Sequence, residues 1–127
     1  MNTKFKSHQV SGKGRGKLLG FPTINLEIPK GLNLKDGIYA IKVFNSGKQF
    51  LGAMHYGPIP VFLENEKTLE FFLIDTKEVD IPDSKEFEVE VIKYLRPVMT
   101  FKSKEDLSDQ MRKDVENTRL LNLPNNS

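Results

Sequence analysis

Hydrophobic and polar residues alternate along most of the chain, and this alternation predicts short β-strands. It is clearest in the segment from Glu86 to Tyr94, where Phe87, Val89 and Val91 lie on one side and Glu88 and Glu90 on the other. Four other segments are rich in β-forming residues: Phe21 to Leu26, Ile38 to Phe44, Gln49 to His55 and Thr68 to Asp75. Five or six short strands without an intervening helix favour a closed antiparallel barrel or a sandwich.

Only the C-terminal part of the chain has a helical pattern. Ser103 can cap a helix, and Asp106 completes a weak capping box with it. Residues suited to a buried face then recur at helical spacing, at Leu107, Met111, Val115 and Thr118. The predicted fold class is therefore mainly β, with one C-terminal α-helix that covers a face or rim of the β core.

Composition indicates an ordinary soluble globule. The chain has 127 residues, which suits a single domain over 1–127 with a flexible tail predicted at 119–127. The absence of cysteine excludes disulfides, thiolate metal sites and cysteine nucleophiles. The sequence contains neither an apolar run of membrane-spanning length nor a signal peptide, so we expect a cytoplasmic protein with no membrane partner.

Charge is distributed unevenly although the net charge is only +2. The first acid is Glu27, and five cations precede it: Lys4, Lys6, Lys13, Arg15 and Lys17. A basic arm of this kind is typical of proteins that bind nucleic acid or the phosphates of a nucleotide. Phe5 is the only aromatic residue interleaved with these charges, which weakens the case for a surface that stacks nucleic-acid bases. A solvated basic face is the simpler explanation for Lys4 and Lys6.

The segment from Ser11 to Leu26 carries the strongest chemical signal. Its first part alternates glycines with cations, at Gly12, Lys13, Gly14, Arg15, Gly16 and Lys17. Glycines let the backbone approach a ligand closely and the cations attract negative charge, so we expect a phosphate-binding loop. The glycine spacing matches neither a P-loop nor a dinucleotide-binding turn.

Thr23 and Asn25 follow this loop in a segment predicted to be extended, where they would point to the same side. A hydroxyl and an amide oxygen placed side by side suit magnesium that keeps phosphate oxygens and water among its ligands. The pair would then hold a metal–nucleotide complex beside the loop. The alternative is a flexible turn followed by a strand with two solvated polar side chains.

Glu70 is the candidate general base. In the strand predicted from Thr68 to Asp75 it shares one face with Phe72 and Ile74, while apolar residues also occupy the other face. A carboxylate on an apolar face tends to have a raised pKa, which suits a proton acceptor near neutral pH. A solvated glutamate is the alternative.

Together these segments resemble the riboflavin kinase family. The string Gly12-x-x-x-Gly16 followed by Leu19 to Leu26 is similar to the family signature, with Ile24 as a mild departure. The resemblance continues in the family's order through Asp36 to Ala40, Tyr56 to Phe62, Leu69 to Asp75, and Tyr94 to Pro97 with Phe101.

This resemblance implies a six-stranded antiparallel Greek-key β-barrel with a C-terminal helix. It also implies transfer of the γ-phosphoryl group of ATP to the ribityl 5′-hydroxyl of riboflavin, giving FMN and ADP, with Glu70 as catalytic base. The loop and Thr23 would bind ATP, Thr23 and Asn25 would bind Mg²⁺, and the flavin would lie near Arg96, Val98 and Phe101. We expect a monomer whose partners are ATP and riboflavin, with no nucleic acid.

The sequence also departs from the family. Val98 stands where a glutamate is usual, and the Tyr-Gly pair expected after the strand ending at Asp75 is absent from Asp80 to Lys85. These departures favour the main alternative, a catalytically inactive barrel that binds flavin or nucleotide, whereas the presence of Thr23, Asn25 and Glu70 argues against it. A third interpretation is a small barrel that binds nucleic acid through the basic N-terminus, with steeply salt-dependent affinity. For Arg96, the alternative to flavin binding is a surface ion pair.

Many bacterial relatives carry an N-terminal FMN adenylyltransferase domain. Only seven residues precede His8, so we expect a free-standing kinase or an excised domain, without FAD synthesis.

Overall fold

The computed structural model describes residues 3–10, 23–58, 67–77, 80–81 and 83–121. These residues form six strands and one helix: β1 (Lys4–Val10), β2 (Thr23–Leu26), β3 (Gly37–Asn45), β4 (Lys48–Gly57), β5 (Thr68–Ile74), β6 (Glu86–Arg96) and α1 (Lys104–Arg119). The predicted fold class, a mainly β protein with a C-terminal helix, is confirmed.

The strands close into an antiparallel barrel in the order β1-β2-β5-β4-β3-β6. Strands β3, β4 and β5 form a meander, and β6 returns to pair with the outer edge of β3, which is the Greek-key arrangement. Strands β1 and β2 then bridge β6 and β5, so each of the six strands has two partners. Closure removes exposed sheet edges from the barrel.

Alternation along the strands fills the barrel interior. Most inward positions of the longer strands are buried, and those with almost no exposure include Ile41, Val43, Met54, Leu69, Phe71 and Val89. The rings of Phe71 and Phe87 meet edge to face across the interior, with centroids 5.5 Å apart. This core holds β5 in a fixed register between β2 and β4, which determines where Glu70 lies.

A second, smaller apolar cluster joins the helix to the outside of the barrel. Ala53 and Phe72 present their outward side chains to Met111 and Val115 of α1. The helix begins as the sequence predicts, because the Ser103 hydroxyl accepts a hydrogen bond of 3.1 Å from the Asp106 N–H. None of the helices in the described ranges is long and apolar enough to cross a membrane.

The segments predicted as strands over Ile38 to Phe44 and Gln49 to His55 form the hairpin of β3 and β4. Ser46 and Gly47 both have positive φ, at 52° and 79°, as a two-residue turn between twisted strands requires. Strand β5 ends where Asp75 turns to a positive φ of 58°, and β6 ends before Pro97, which has no backbone N–H to continue the ladder.

Strand β1 is the element that the hydrophobic pattern did not predict. Its exposed residues Lys4, Lys6 and His8 stand opposite Glu90, Glu88 and Glu86 of β6. Phe5 alone reaches the barrel core from this strand, so its sequence lacks an apolar alternation. The predicted basic arm therefore includes a barrel strand, and its described cations face carboxylates.

Arg119, where the predicted tail begins, is the last residue of α1. Residues 122–127 of that tail lie outside the described residues.

Candidate active site

Three polar residues lie side by side across the outer surface of adjacent strands. Glu70 of β5 stands opposite Asn25 of β2 on one side and opposite His55 of β4 on the other. Residues directly opposite each other in an antiparallel pair project to the same face, with β-carbons about 5 Å apart. The barrel thus places an amide, a carboxylate and an imidazole in one row, which we call the Asn25–Glu70–His55 row.

Glu70 occupies a partly shielded position. Leu69 and Phe71, its neighbours along β5, point into the barrel core and are 1% exposed. Phe72, on the same outer face as Glu70, is covered by α1. The prediction that both faces of this strand are largely buried is confirmed, and Glu70 itself is half-buried at the margin of the region under the helix.

His55 is held at both ring nitrogens. Nε2 lies 3.2 Å from the Pro58 carbonyl oxygen, and Nδ1 lies 3.4 Å from the Thr68 hydroxyl. A carbonyl can only accept, so Nε2 donates to Pro58, whereas the Thr68 hydroxyl can either donate to Nδ1 or accept from it. Sequence reasoning gave His55 no role, because its place beside Glu70 follows from strand register rather than from a local motif.

Thr23 and Asn25 are two residues apart on β2 and share its outer face, while Ile24 and Leu26 between and after them are buried in the core. Thr23 stands opposite Phe72 and Asn25 opposite Glu70. Two neutral oxygen donors on one face, next to a carboxylate, fit a magnesium ion that keeps most of its water and phosphate ligands. Among the described residues no cluster of three or more His, Asp or Glu side chains offers a separate metal site.

The predicted phosphate loop, Gly12 to Lys17, lies outside the described residues. Thr23 is the first described residue after the gap at 11–22. Its role as an ATP ligand therefore remains a prediction, as do those of Gly12, Lys13, Gly14, Arg15, Gly16 and Lys17.

The predicted flavin-binding residues lie between β6 and α1. Val98 and Phe101 are half-buried in the irregular segment that joins the two elements. Arg96, at the end of β6, stands opposite Ile38, which in turn stands opposite His55. Arg96 is therefore on the same outer face as the Asn25–Glu70–His55 row, two strands beyond His55.

The guanidinium of Arg96 forms a bidentate ion pair with Asp114 of α1. Nε donates to Oδ1 at 2.8 Å and Nη2 donates to Oδ2 at 2.7 Å. The Arg96 side chain is 14% exposed and that of Asp114 is 2% exposed, so the pair is largely removed from water. The alternative of an ion pair is thus observed for Arg96, but it is buried rather than on the surface.

A cavity of 210 Å³ opens where β3, β4 and β5 meet beyond the row. Its apolar lining comes from Phe50, Leu51 and Ile74, and its polar lining from Lys42, Gln49, Asp75 and Thr76. Ile74 is two residues along β5 from Phe72, the partner of Thr23, so the cavity lies on the Thr23 side of the row.

Arg119 borders this cavity through Asp75. Its guanidinium donates two hydrogen bonds to the Asp75 carboxylate, joining the end of α1 to the end of β5. The hydrogen bond from Arg119 lowers the pKa of the Asp75 carboxyl, which keeps it charged at neutral pH. Local sequence gave no sign of this pair, because its members come from distant elements.

Comparison with known proteins bears on what these residues do. The family model "Flavokinase: Riboflavin kinase" matches residues 1–122. The RNA-binding riboflavin kinase RibR of Bacillus subtilis (strain 168) is 37% identical over 107 residues, which cover 84% of this chain and 45% of that protein. A bifunctional riboflavin kinase/FMN adenylyltransferase of Buchnera aphidicola subsp. Schizaphis graminum is 33% identical over 112 residues, covering 84% of this chain and 35% of that protein.

A protein of the same bifunctional description from Haemophilus influenzae is 32% identical over 111 residues, covering 87% of this chain and 35% of that protein. The chain therefore spans less than half the length of these relatives. A crystal structure described as a macrolide-efflux protein from Streptococcus pneumoniae superposes with a TM-score of 0.79 at 24% identity, over 93% of this chain and 38% of that chain. That likeness shows the fold alone.

The predicted resemblance is thus confirmed by a family model that matches nearly the whole chain. The chain belongs to the riboflavin kinase family.

Proposed function

We propose that this chain is an ATP-dependent riboflavin kinase. The 5′-hydroxyl oxygen of the ribityl chain would bond to the γ-phosphorus of ATP, the bond from that phosphorus to the β–γ bridging oxygen would break, and ADP would leave. The single observation that carries the proposal is the riboflavin kinase model matched over residues 1–122. The relatives described above are named as riboflavin kinases or as bifunctional proteins with that activity, which supports it.

Glu70 is the proposed catalytic base, accepting the proton that the 5′-hydroxyl loses. Its half-buried carboxylate stands next to Asn25, on the strand that carries the candidate metal ligands. Phosphoryl transfer depends mainly on positioning and on neutralising charge, so the base works only if the hydroxyl and the phosphate are held in line. Fixed pairing of β5 with both β2 and β4 supplies that rigidity.

Thr23 and Asn25 are the proposed protein ligands of Mg²⁺. The ion, when bound with ATP, neutralises charge on the phosphate oxygens. The loop from Gly12 to Lys17 would bind the phosphates through its backbone N–H groups and cations.

The cavity beside Ile74 is the proposed place for the base of the nucleotide. Its apolar wall from Phe50, Leu51 and Ile74 offers a surface for a flat ring, and its polar side chains offer hydrogen bonds at the edge. It lies on the Thr23 side of the row, which suits a nucleotide whose phosphates reach Thr23.

The flavin would lie on the opposite side of the row, near Val98 and Phe101. Both side chains are half-buried in the segment that precedes α1, and they offer an apolar surface to a flat ring. Arg96 is at the start of this segment. Because position 98 is valine and not the usual glutamate, its side chain would contact the flavin ring without forming a hydrogen bond.

The described part of the basic arm does not support binding of nucleic acid. Lys4 and Lys6 of β1 stand opposite Glu90 and Glu88, so their charges are offset within the barrel. One relative is named as RNA-binding, but this chain covers 45% of that protein.

Incubation of the purified chain with riboflavin, ATP and Mg²⁺, followed by chromatographic separation of the flavins, tests the proposal. We expect FMN and ADP in equal amounts, with FMN formation lost when the metal is chelated. Bound riboflavin without FMN formation would instead support the inactive flavin-binding barrel. Neither FMN formation nor flavin binding would reject both.

A further inference from the structure

We propose that Arg96 is a positioning residue rather than a contact to the flavin. In this inference, which rests on the proposed kinase function, its ion pair with Asp114 fixes α1 and residues 97–103 against the end of β6. The flavin side of the site would then depend on Arg96 without touching it.

The donors of Arg96 are directed into the protein. Nε and Nη2 both donate to Asp114, and Nη1 donates to the Pro97 carbonyl oxygen at 3.1 Å. All three guanidinium nitrogens therefore have protein partners. A flavin contact through the Nε–Nη2 edge would have to displace a bidentate carboxylate, which is among the strong partners of a guanidinium, and the remaining N–H donors belong to a side chain that is only 14% exposed.

The Asp114 carboxylate is likewise bound by protein partners. Its Oδ1 also accepts a hydrogen bond of 3.3 Å from the Gln110 amide, one helical turn earlier. The Thr118 hydroxyl, fully buried one turn later, donates to the Asp114 carbonyl oxygen at 2.8 Å. The carboxylate thus belongs to the buried face of α1 and is not available to a ligand.

The Arg96–Asp114 pair is placed where it can fix the position of residues 97–103. Arg96 is the last residue of β6 and Asp114 lies in the middle of α1, so the pair closes the segment that contains Val98 and Phe101. The outer apolar cluster contains Met111 and Val115, which are close to Asp114 on α1. It contains none of residues 97–103. The ion pair therefore ties the start of this segment directly to the helix.

A double-mutant cycle separates positioning from flavin contact. The four proteins are wild type, Arg96→Met, Asp114→Leu and the double variant. Each single variant leaves a buried charge unpaired, so we expect Tm to fall by roughly 10 °C. Displacement of the segment should raise KM for riboflavin on the order of tenfold, while KM for ATP stays within about twofold.

The double variant gives the decisive result. Methionine and leucine fill the space with apolar atoms and leave no unpaired charge, so most of the loss in Tm and in riboflavin KM should be recovered. If Arg96 contacts the flavin, the double variant will regain Tm but keep the raised riboflavin KM, and the inference is overturned. Additive losses of Tm would overturn it equally.

Two further variants guard against ambiguity. Arg112→Met breaks an exposed pair with Asp109 on the same helix, so Tm and both KM values should stay near those of wild type. Arg96→Lys serves as a substitute if either single variant cannot be purified. It keeps the charge but not the bidentate geometry, so it should fold and show an intermediate riboflavin KM. An Arg96→Lys protein with wild-type riboflavin KM would count against the inference.

Failure of the kinase proposal can be told apart from failure of the inference about Arg96. A wild-type protein that forms no FMN rejects the kinase function, whereas coupling between Arg96 and Asp114 in Tm tests the ion pair without any turnover.

Discussion

Glu70 and His55 are distant in sequence and adjacent in the barrel, because the register between β4 and β5 sets them opposite each other. Alternation within β5 was enough to predict two buried faces around Glu70. It could not predict His55 as a neighbour, since register depends on the whole hairpin and not on either strand alone. The residue-scale prediction was therefore right about the surroundings of the carboxylate and incomplete about its neighbours.

The His55→Leu variant tests whether that neighbour matters. Loss of both ring nitrogens leaves the Pro58 carbonyl and the Thr68 hydroxyl without this partner, so the local geometry beside Glu70 should loosen. We expect kcat for FMN formation to fall about tenfold, with KM for ATP little changed. His55→Gln, which can still donate to the carbonyl, should recover part of kcat; equal kcat in all three proteins would contradict a role for His55.

Tyr39 gives a prediction about pH. Its buried phenol donates to the Lys35 carbonyl oxygen, and burial, with smaller contributions from Tyr94 and Asp36, raises the pKa of the phenol. A raised pKa in the folded state means that the contribution of Tyr39 is present below about pH 10 and is lost as pH rises through the folded-state value.

Tyr39→Phe should lower the free energy of unfolding by about 1 kcal/mol at pH 7. Its stability should then fall less steeply than that of wild type above about pH 10. Urea unfolding at several pH values measures both. Parallel curves for the two proteins would show that Tyr39 ionisation is not linked to folding.

Among the elements, α1 and β1 show what a local pattern can and cannot predict. The helical spacing of Met111 and Val115 identified the face that packs on the barrel, and Ser103 marked its start. Asp114 on that same face was not predicted, because a buried carboxylate needs a partner that only the tertiary fold supplies. Strand β1 was not predicted because it has little apolar content of its own. It forms a strand through its pairing with β2 and β6.

The cap of α1 carries a prediction at this scale. Ser103→Ala removes the acceptor for the Asp106 N–H and should reduce the free energy of unfolding by about 1 kcal/mol. Ser103→Asp keeps an acceptor at the same place and should stay close to wild type. Chemical denaturation measures the three proteins, and an alanine variant as stable as wild type would show that the cap contributes nothing.

For the whole molecule, the sequence pattern predicted a barrel or a sandwich with one helix, and the family resemblance favoured the six-stranded Greek-key barrel. Closure brings β2, β5 and β4 together, so that Thr23, Asn25 and Glu70 meet on one face although they come from distant parts of the chain. The cavity beside Ile74 and the pair of Arg96 with Asp114 depend on contacts between strands and helix. No motif encodes them, which is why sequence analysis did not find them.

The most direct test of the whole account is the single-turnover rate of FMN formation in Glu70→Gln. Glutamine keeps the size and polarity of the side chain but cannot accept the proton, so we expect the rate to fall about 100-fold or more while ATP still binds. Glu88→Gln, a half-buried glutamate on β6 outside the proposed site, is the matched control and should retain the wild-type rate. A Glu70→Gln protein that forms FMN at the wild-type rate would contradict the proposed mechanism.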